Sequence, residues 1–196
     1  MKRIFALALG LLLIGFAGVD SRYVVSGQTG AWTTLLDGSS LKGWNVVGDA
    51  NWEIADGVVQ ATRGTGFLVS PVSYGDFQIT LEFWVTDDAN SGVFLRCDQS
   101  KQLDSKVCYE VNIFDKRPDP SYGTGAISGV AKVDPMPKAA GKWNTYEITA
   151  QGPHLVIVLN GQKTADVQDS THLAGPIALQ YGSGVVKFRK LQIKPS

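Results

Sequence analysis

Strict two-residue alternation of apolar and polar side chains is the feature that most limits what this chain can fold into. Phe77 to Val85 shows it most cleanly: Phe77, Ile79, Leu81, Phe83 and Val85 fall on one side, with Gln78, Thr80, Glu82 and Trp84 on the other. Successive strand residues point to opposite faces, so such a run buries one face and presents the other. Asn90 to Cys97 and Cys108 to Asp115 repeat the pattern and are expected to pair. Val93, Leu95, Tyr109, Val111 and Ile113 then share a core face. Phe94, Arg96, Glu110 and Asn112 share the opposite one, and Glu82 and Trp84 extend it. All six side chains are expected to converge in a single groove.

The rest of the chain carries the same signature in shorter pieces. Asp56-Gly57 and Asn160-Gly161 are hairpin turn signals, flanked by apolar runs at 51–61 and 155–167. Trp32 to Trp44 reads as a lead-in, turning after Leu36 and returning over Leu41 to Trp44. Gly66 to Val69 is a short strand that Ser70-Pro71 should stop. Residues 142–150 form a strand with Tyr146 and Ile148 inward, and 177–180 and 185–193 close the chain. The segment 116–140, rich in Pro, Gly and Asp, is a long irregular loop that carries Arg117, Asp119, Tyr122 and Lys132. No stretch keeps a helical period, and one turn near Ser170 to Leu173 is the only helix expected. Short strands with turn signals between them imply an all-β fold, an antiparallel two-sheet sandwich.

Met1-Lys2-Arg3 followed by the apolar run Ile4 to Ala17 has the charged and hydrophobic regions of a secretory signal. The run falls short of the roughly 20 apolar residues that a membrane span takes. Export to the periplasm or beyond is therefore expected, with cleavage between Ala17 and Ala31. Residues 1–30 are then signal and leader, and 31–196 a single domain. Val19-Asp20-Ser21 is a poor cleavage site, which leaves an uncleaved anchor as the alternative. An oxidising compartment would let Cys97 and Cys108, the only two cysteines, form a disulfide. Strict alternation puts Cys97 on the core face and Cys108 on the other, so this pairing requires an irregular strand end.

Eighteen basic and eighteen acidic residues cancel, which argues against electrostatic binding of nucleic acid. HExxH, GxSxG and Cys/His clusters at metal spacing do not occur, and His154 and His172 read as isolated surface or hairpin residues. No cofactor is required by anything in the sequence. Calcium is possible without being indicated, since no loop is densely acidic. A guanidinium, carboxylates and a carboxamide beside aromatic rings suit a polyhydroxylated ligand. The plainer alternative is a solvated sheet face with one cross-strand ion pair.

A series of short motifs adds to this. Leu36-Asp37-Gly38, Leu41-Lys42-Gly43-Trp44, Trp52-Glu53-Ile54 with Asp56-Gly57, and Tyr74-Gly75-Asp76-Phe77 come first. Asn90 to Arg96, Tyr109-Glu110-Val111-Asn112 with Asp115, Thr124 to Ile127, Trp143-Asn144, Leu159-Asn160-Gly161 and Leu179-Gln180 with Phe188-Arg189 follow in order. In series they resemble the 3-keto-disaccharide hydrolase domain family, over essentially the whole chain after the signal. The resemblance implies a concanavalin-like jelly-roll sandwich and cleavage of glycosides oxidised at carbon 3, with an oxidised di- or oligosaccharide as partner. On that reading Glu110 is the base, Arg96 stabilises the enolate or ligand, and Glu82 and Asp115 orient or transfer protons. Asn112, Trp84, Phe94, Tyr122, Lys132 and Gln180 would bind substrate. Two departures stand out: Asn112 where the family often has Gln, and Tyr181-Gly182-Ser183 where a histidine often follows the Leu-Gln pair. A non-catalytic carbohydrate-binding module and a protein-binding scaffold sandwich stay open as alternatives.

Overall fold

The computed structural model describes residues 24–25, 30–98 and 102–196, so the apolar run from Ile4 to Ala17 lies outside it. The strands in chain order are β1 (Val24–Val25), β2 (Thr33–Leu36), β3 (Asn45–Gly48), β4 (Glu53–Ala55), β5 (Val58–Ala61), β6 (Gly66–Tyr74) and β7 (Phe77–Val85). Then come β8 (Asn90–Leu95), β9 (Tyr109–Ile113), β10 (Trp143–Gln151), β11 (His154–Leu159), β12 (Gln162–Gln168), β13 (Gly175–Ser183) and β14 (Val186–Pro195). They form two sheets. One has six strands in the order β1-β6-β13-β8-β9, with β3 also on β6; the other has eight, β12-β11-β10-β7-β14-β5-β4, with β2 also on β14. Every pairing is antiparallel except that of β1 with β6. The chain is thus the expected all-β sandwich, and β8 pairs with β9 as the alternation implied.

Burial follows the period of two. On β7 every second residue from Phe77 to Val85 is buried, and Val93, Leu95, Tyr109, Val111 and Ile113 join them in the core between the sheets. Tyr146, inward on β10, stacks on Phe83 at 4.9 Å. Its hydroxyl crosses to the other sheet, donating to the Asn112 carbonyl at 2.6 Å and accepting from the Gly125 amide at 2.9 Å. Complete burial pushes the Tyr146 hydroxyl far above its ordinary pKa, so it stays a neutral donor. This one side chain ties the backbone of β9 to the opposite layer.

Three local expectations are corrected. Pro71 does not stop a strand: β6 runs through it, because its pairing with β13 shifts register between Pro176 and Ala178. The Ile177 amide donates to the Ser70 hydroxyl there in place of a ladder carbonyl, and the irregular register accommodates a residue without an N–H. Residues 170–173 form no helical turn. The one 3-10 turn among the described residues is Pro120–Tyr122, capped by the Asp119 side chain. His172 is buried rather than on the surface, its ring edge-to-face with Tyr109 at 4.9 Å.

The end of β8 holds the largest departure from alternation. Arg96 has a φ of 51°, a left-handed conformation uncommon outside glycine, and it reverses the parity of everything after it. The Arg96 side chain therefore turns inward, and Cys97 turns outward to the face that Cys108 occupies. Both cysteines pack with Phe94, Val69 and Ala178 and are bonded to each other. The irregular strand end that the disulfide needs is this single residue. Closing a loop of about a dozen residues is worth about 3 kcal/mol in the chain-entropy view. Replacing both cysteines by serine should lower unfolding stability by about that amount in a urea titration; a loss below 1 kcal/mol would show that the loop is held by its packing alone.

Candidate functional site

The outer face of the six-stranded sheet presents two cross-strand rows. Register aligns Asn45, Val69, Ala178, Phe94 and Glu110 in the first, and Val47, Phe67, Gln180, Gly92 and Asn112 in the second. A bridge between Val111 and Ile127 extends the sheet by one further segment, which sets Ser128 beside Glu110 and Ala126 beside Asn112. Much of the first row is covered. Leu103 and Val107, from the disulfide-closed loop, pack on Phe94, Val69 and Ala178, while Phe67 meets Phe94 edge-to-face at 5.1 Å.

Gly92 stands in the second row, between Gln180 and Asn112. A Cβ there would lie 3.2 Å from Phe94 Cε2 and 3.3 Å from Glu110 Cγ, so only glycine leaves this part of the floor bare. Around it sit three buried polar atoms with no hydrogen-bond partner of ordinary geometry among the described residues: Asn112 Oδ1, Gln180 Oε1 and Ser128 Oγ. Buried polar groups are normally satisfied. Three such atoms on or beside the strand partners of the buried Gly92 leave hydrogen-bonding capacity that a polar ligand can take up.

Glu110 is 7% exposed and has no ion pair among the described residues. Burial lifts its carboxyl above the usual glutamate range; the nearby Ser128 hydroxyl and the charge of Arg117 oppose the shift, and Asp104 adds to it. Ser128 Oγ thus favours the carboxylate without closing a regular hydrogen bond to it. Arg117 belongs to the long loop and Asp104 to the disulfide-closed loop. The result is a carboxyl held nearly dry, unpaired and close to solvent, the state in which a glutamate can act as a general base.

The structure brings together only part of the expected set. Glu110, Asn112, Phe94 and Gln180 share the outer face. Asn112 is fully buried, donating from Nδ2 to the Tyr122 carbonyl at 2.7 Å, so Tyr122 meets the site through its backbone. Lys132 lies beyond it, its ammonium 5.6 Å from the Tyr122 ring. Phe94 is covered by the Leu103 patch and offers no open ring for stacking.

Arg96 is a correction. It is 0% exposed and lies on the core side of its sheet, away from Glu110. Its guanidinium donates to the carbonyls of Gly75 at 2.8 Å, Gly152 at 2.7 Å and His172 at 3.3 Å, and pairs with Asp76 at 3.1 Å. The Tyr74-Gly75-Asp76-Phe77 motif thus supplies two of its four partners. Glu82 and Trp84 are a second correction: β7 belongs to the eight-stranded sheet, so they face out on the far side of the sandwich. Glu82 is held below the usual carboxylate range, first by the hydrogen bond from Lys190 and then by Arg189, at 2.8 and 2.6 Å. Lys187 sits over the Trp84 ring at 5.1 Å. Asp115 accepts from Thr124 Oγ1 at 2.6 Å and from the amides of Ala139 and Ala140 at 2.8 and 3.0 Å. All these bonds are internal, and they tie both ends of the long loop to β9.

Sequence reasoning missed three neighbours of Glu110: Ser128, Arg117 and Asp104. Ser128 is placed by a single bridge inside the irregular segment, and Asp104 by the disulfide, and neither leaves a periodic signal. Arg117 stood out in the sequence only as a charge in a long loop.

Residues 31–194 match the family described as 3-keto-alpha-glucoside-1,2-lyase-like domain. Similar solved structures include two candidate glycosyl hydrolases from Parabacteroides distasonis. One is 19% identical with a TM-score of 0.75, covering 84% of this chain and 94% of its own. The other is 24% identical with a TM-score of 0.71, covering 85% and 100%. The carbohydrate-binding module CBM66 from Bacillus subtilis is 20% identical with a TM-score of 0.64, covering 78% and 95%. At these identities the likeness is one of fold. No curated protein sequence matches the chain.

Proposed function

Because this chain belongs to the 3-keto-alpha-glucoside-1,2-lyase-like domain family, we propose that it cleaves glycosides whose sugar carries a ketone at carbon 3, with Glu110 as the base. The ketone makes the carbon-2 proton acidic. The Glu110 carboxylate takes that proton, and the electron pair passes to the carbon-3 oxygen as an enolate. Collapse of the enolate forms the carbon 1–carbon 2 double bond and breaks the bond from carbon 1 to its substituent, whose oxygen takes up a proton as it leaves. Water then adds across the double bond to give the free 3-keto sugar. These steps need a base, an oxyanion partner and an acid, and no cofactor.

The single observation that carries this reading is the unpaired, nearly dry Glu110 carboxyl beside the bare patch at Gly92. Arg117 and the Ser128 hydroxyl take the enolate-stabilising role, replacing Arg96. Asn112 Oδ1 and Gln180 Oε1 accept hydrogen bonds from sugar hydroxyls. Glu82 and Asp115, engaged in their own hydrogen bonds, take no part.

Residues 31–196 act as one domain behind an export signal, and the Cys97–Cys108 bond suits the oxidising compartment that export reaches. A second reading, a module that binds such sugars without cleaving them, draws support from Tyr181-Gly182-Ser183, where no histidine stands. Incubating the purified protein with a 3-keto-glucoside separates the two. Aglycone should be released, with transient enone absorbance, and the corresponding glucoside lacking the ketone should be untouched. Binding of the keto-sugar with no release above the uncatalysed rate would select the binding module.

A further inference from the structure

On the far side of the sandwich from Glu110, a cleft of about 310 Å³ opens between Trp32 and the stretches 78–80 of β7 and 147–149 of β10. We propose that it is a separate binding site for one ring of a neutral glycan. Its volume lies at the low end of small-ligand sites. Ile79 and Ile148 pair across the two strands with their side chains in the core, so they lend the cleft only backbone. Alternation leaves two polar pairs facing out: Thr80 opposite Glu147, and Gln78 opposite Thr149. Neighbouring strands lie about 4.8 Å apart and every second residue along a strand about 7 Å apart, so these four side chains frame an area the size of one pyranose.

The chemistry of the cleft suits a hydroxylated ring. Trp32 is held at its rim by the chain on either side: the Gly30 amide donates to the Pro195 carbonyl at 2.9 Å, and Thr33 pairs with Ile193 on β14. The indole is 47% exposed, apolar surface that the C–H face of a sugar would cover. The Thr80 and Thr149 hydroxyls and the Gln78 amide each donate and accept, while the Glu147 carboxylate accepts, the mixture that ring hydroxyls require. Lys194 stands next to Gln78 in register, and its charge offsets that of Glu147, which favours an uncharged ring over an ion. The site belongs to the opposite sheet from Glu110, so the inference does not rest on the keto-sugar reading. Through it the protein would be tethered to a glycan while the Glu110 face stays open.

The test titrates the isotope-labelled protein with maltotetraose, cellotetraose and mannotetraose and follows its N–H signals by NMR. At least one sugar should shift the Trp32 indole together with the Thr80 and Thr149 amides. Trp32→Ala should weaken that binding roughly tenfold or more, and Trp32→Phe, which keeps a ring, should weaken it less. Unmoved Gly92 and Gln180 signals in both variants would show that the fold is intact. No shift with any of the three sugars would overturn the site. Binding that survives Trp32→Ala, or shifts confined to Gly92 and Gln180, would overturn it by locating the sugar on the Glu110 face. Benzyl alcohol shifting the same signals as strongly as the sugars would overturn the assignment to a sugar. Glycan bound at Trp32 by protein that leaves 3-keto-glucosides uncleaved would support this site while removing the preceding reading.

Discussion

Glu110→Gln is expected to lower turnover of a 3-keto-glucoside by roughly 100-fold or more, the scale of losing a positioned general base. Affinity should persist, because the amide keeps the size and the hydrogen-bonding reach of the carboxylate. The pH profile gives a second readout. A base must be unprotonated, so kcat/KM should climb as pH rises through the Glu110 pKa, which burial places above the ordinary glutamate value. That limb should vanish from the residual rate of the variant.

Stability should move the opposite way. A carboxyl whose pKa is higher in the folded state binds its proton more tightly there, so stability is full below the ordinary glutamate pKa and falls as pH rises through the elevated one. Glu110→Gln should flatten this decline and leave the protein at least as stable at neutral pH. Any loss of turnover then cannot be assigned to unfolding. Full activity in the variant would move the search for the base to Asp104, whose charge reaches the same groove.

Arg96→Met should act on folding and leave catalysis alone. The guanidinium is fully buried, and its removal strands the carbonyls of Gly75, Gly152 and His172 and takes the ion-pair partner from the half-exposed Asp76. Asp76 keeps its solvent and the Gly152 amide, so the cost is that of the unsatisfied carbonyls, on the order of 2–4 kcal/mol in all. In a chain of this size that corresponds to roughly 5–15 °C in thermal midpoint. The burial that holds Arg96 also lowers its own pKa, while Asp76 counters that shift, in keeping with a charge kept in the interior by its hydrogen bonds. Protein that remains folded should turn over substrate with unchanged KM. A variant with native stability and a raised KM would return Arg96 to the sugar-binding face.

The motif series marked the family, and the alternation in 77–85, 90–95 and 109–113 was enough to read the strands, their buried faces and the pairing of β8 with β9. It was enough, too, to put Glu110, Asn112 and Phe94 on one side of one sheet. These are local properties: a side chain in a strand has two directions available, and burying apolar groups chooses between them.

Alternation says nothing about which sheet a strand joins, since both sheets bury one face and expose the other. Glu82 and Trp84 were therefore assigned the correct side of β7 and the wrong side of the protein; long-range pairing of β7 with β10 and β14 settled that. Nor can a period of two foresee a single left-handed residue. At Arg96 the carbonyls of Gly75, Gly152 and His172, the side chain of Asp76 and the bond between Cys97 and Cys108 together stabilise a backbone conformation that arginine seldom adopts. The hydrogen-bond partners of its guanidinium lie 20 to 76 residues away along the chain. Their combined effect exists only once both sheets have closed on the core.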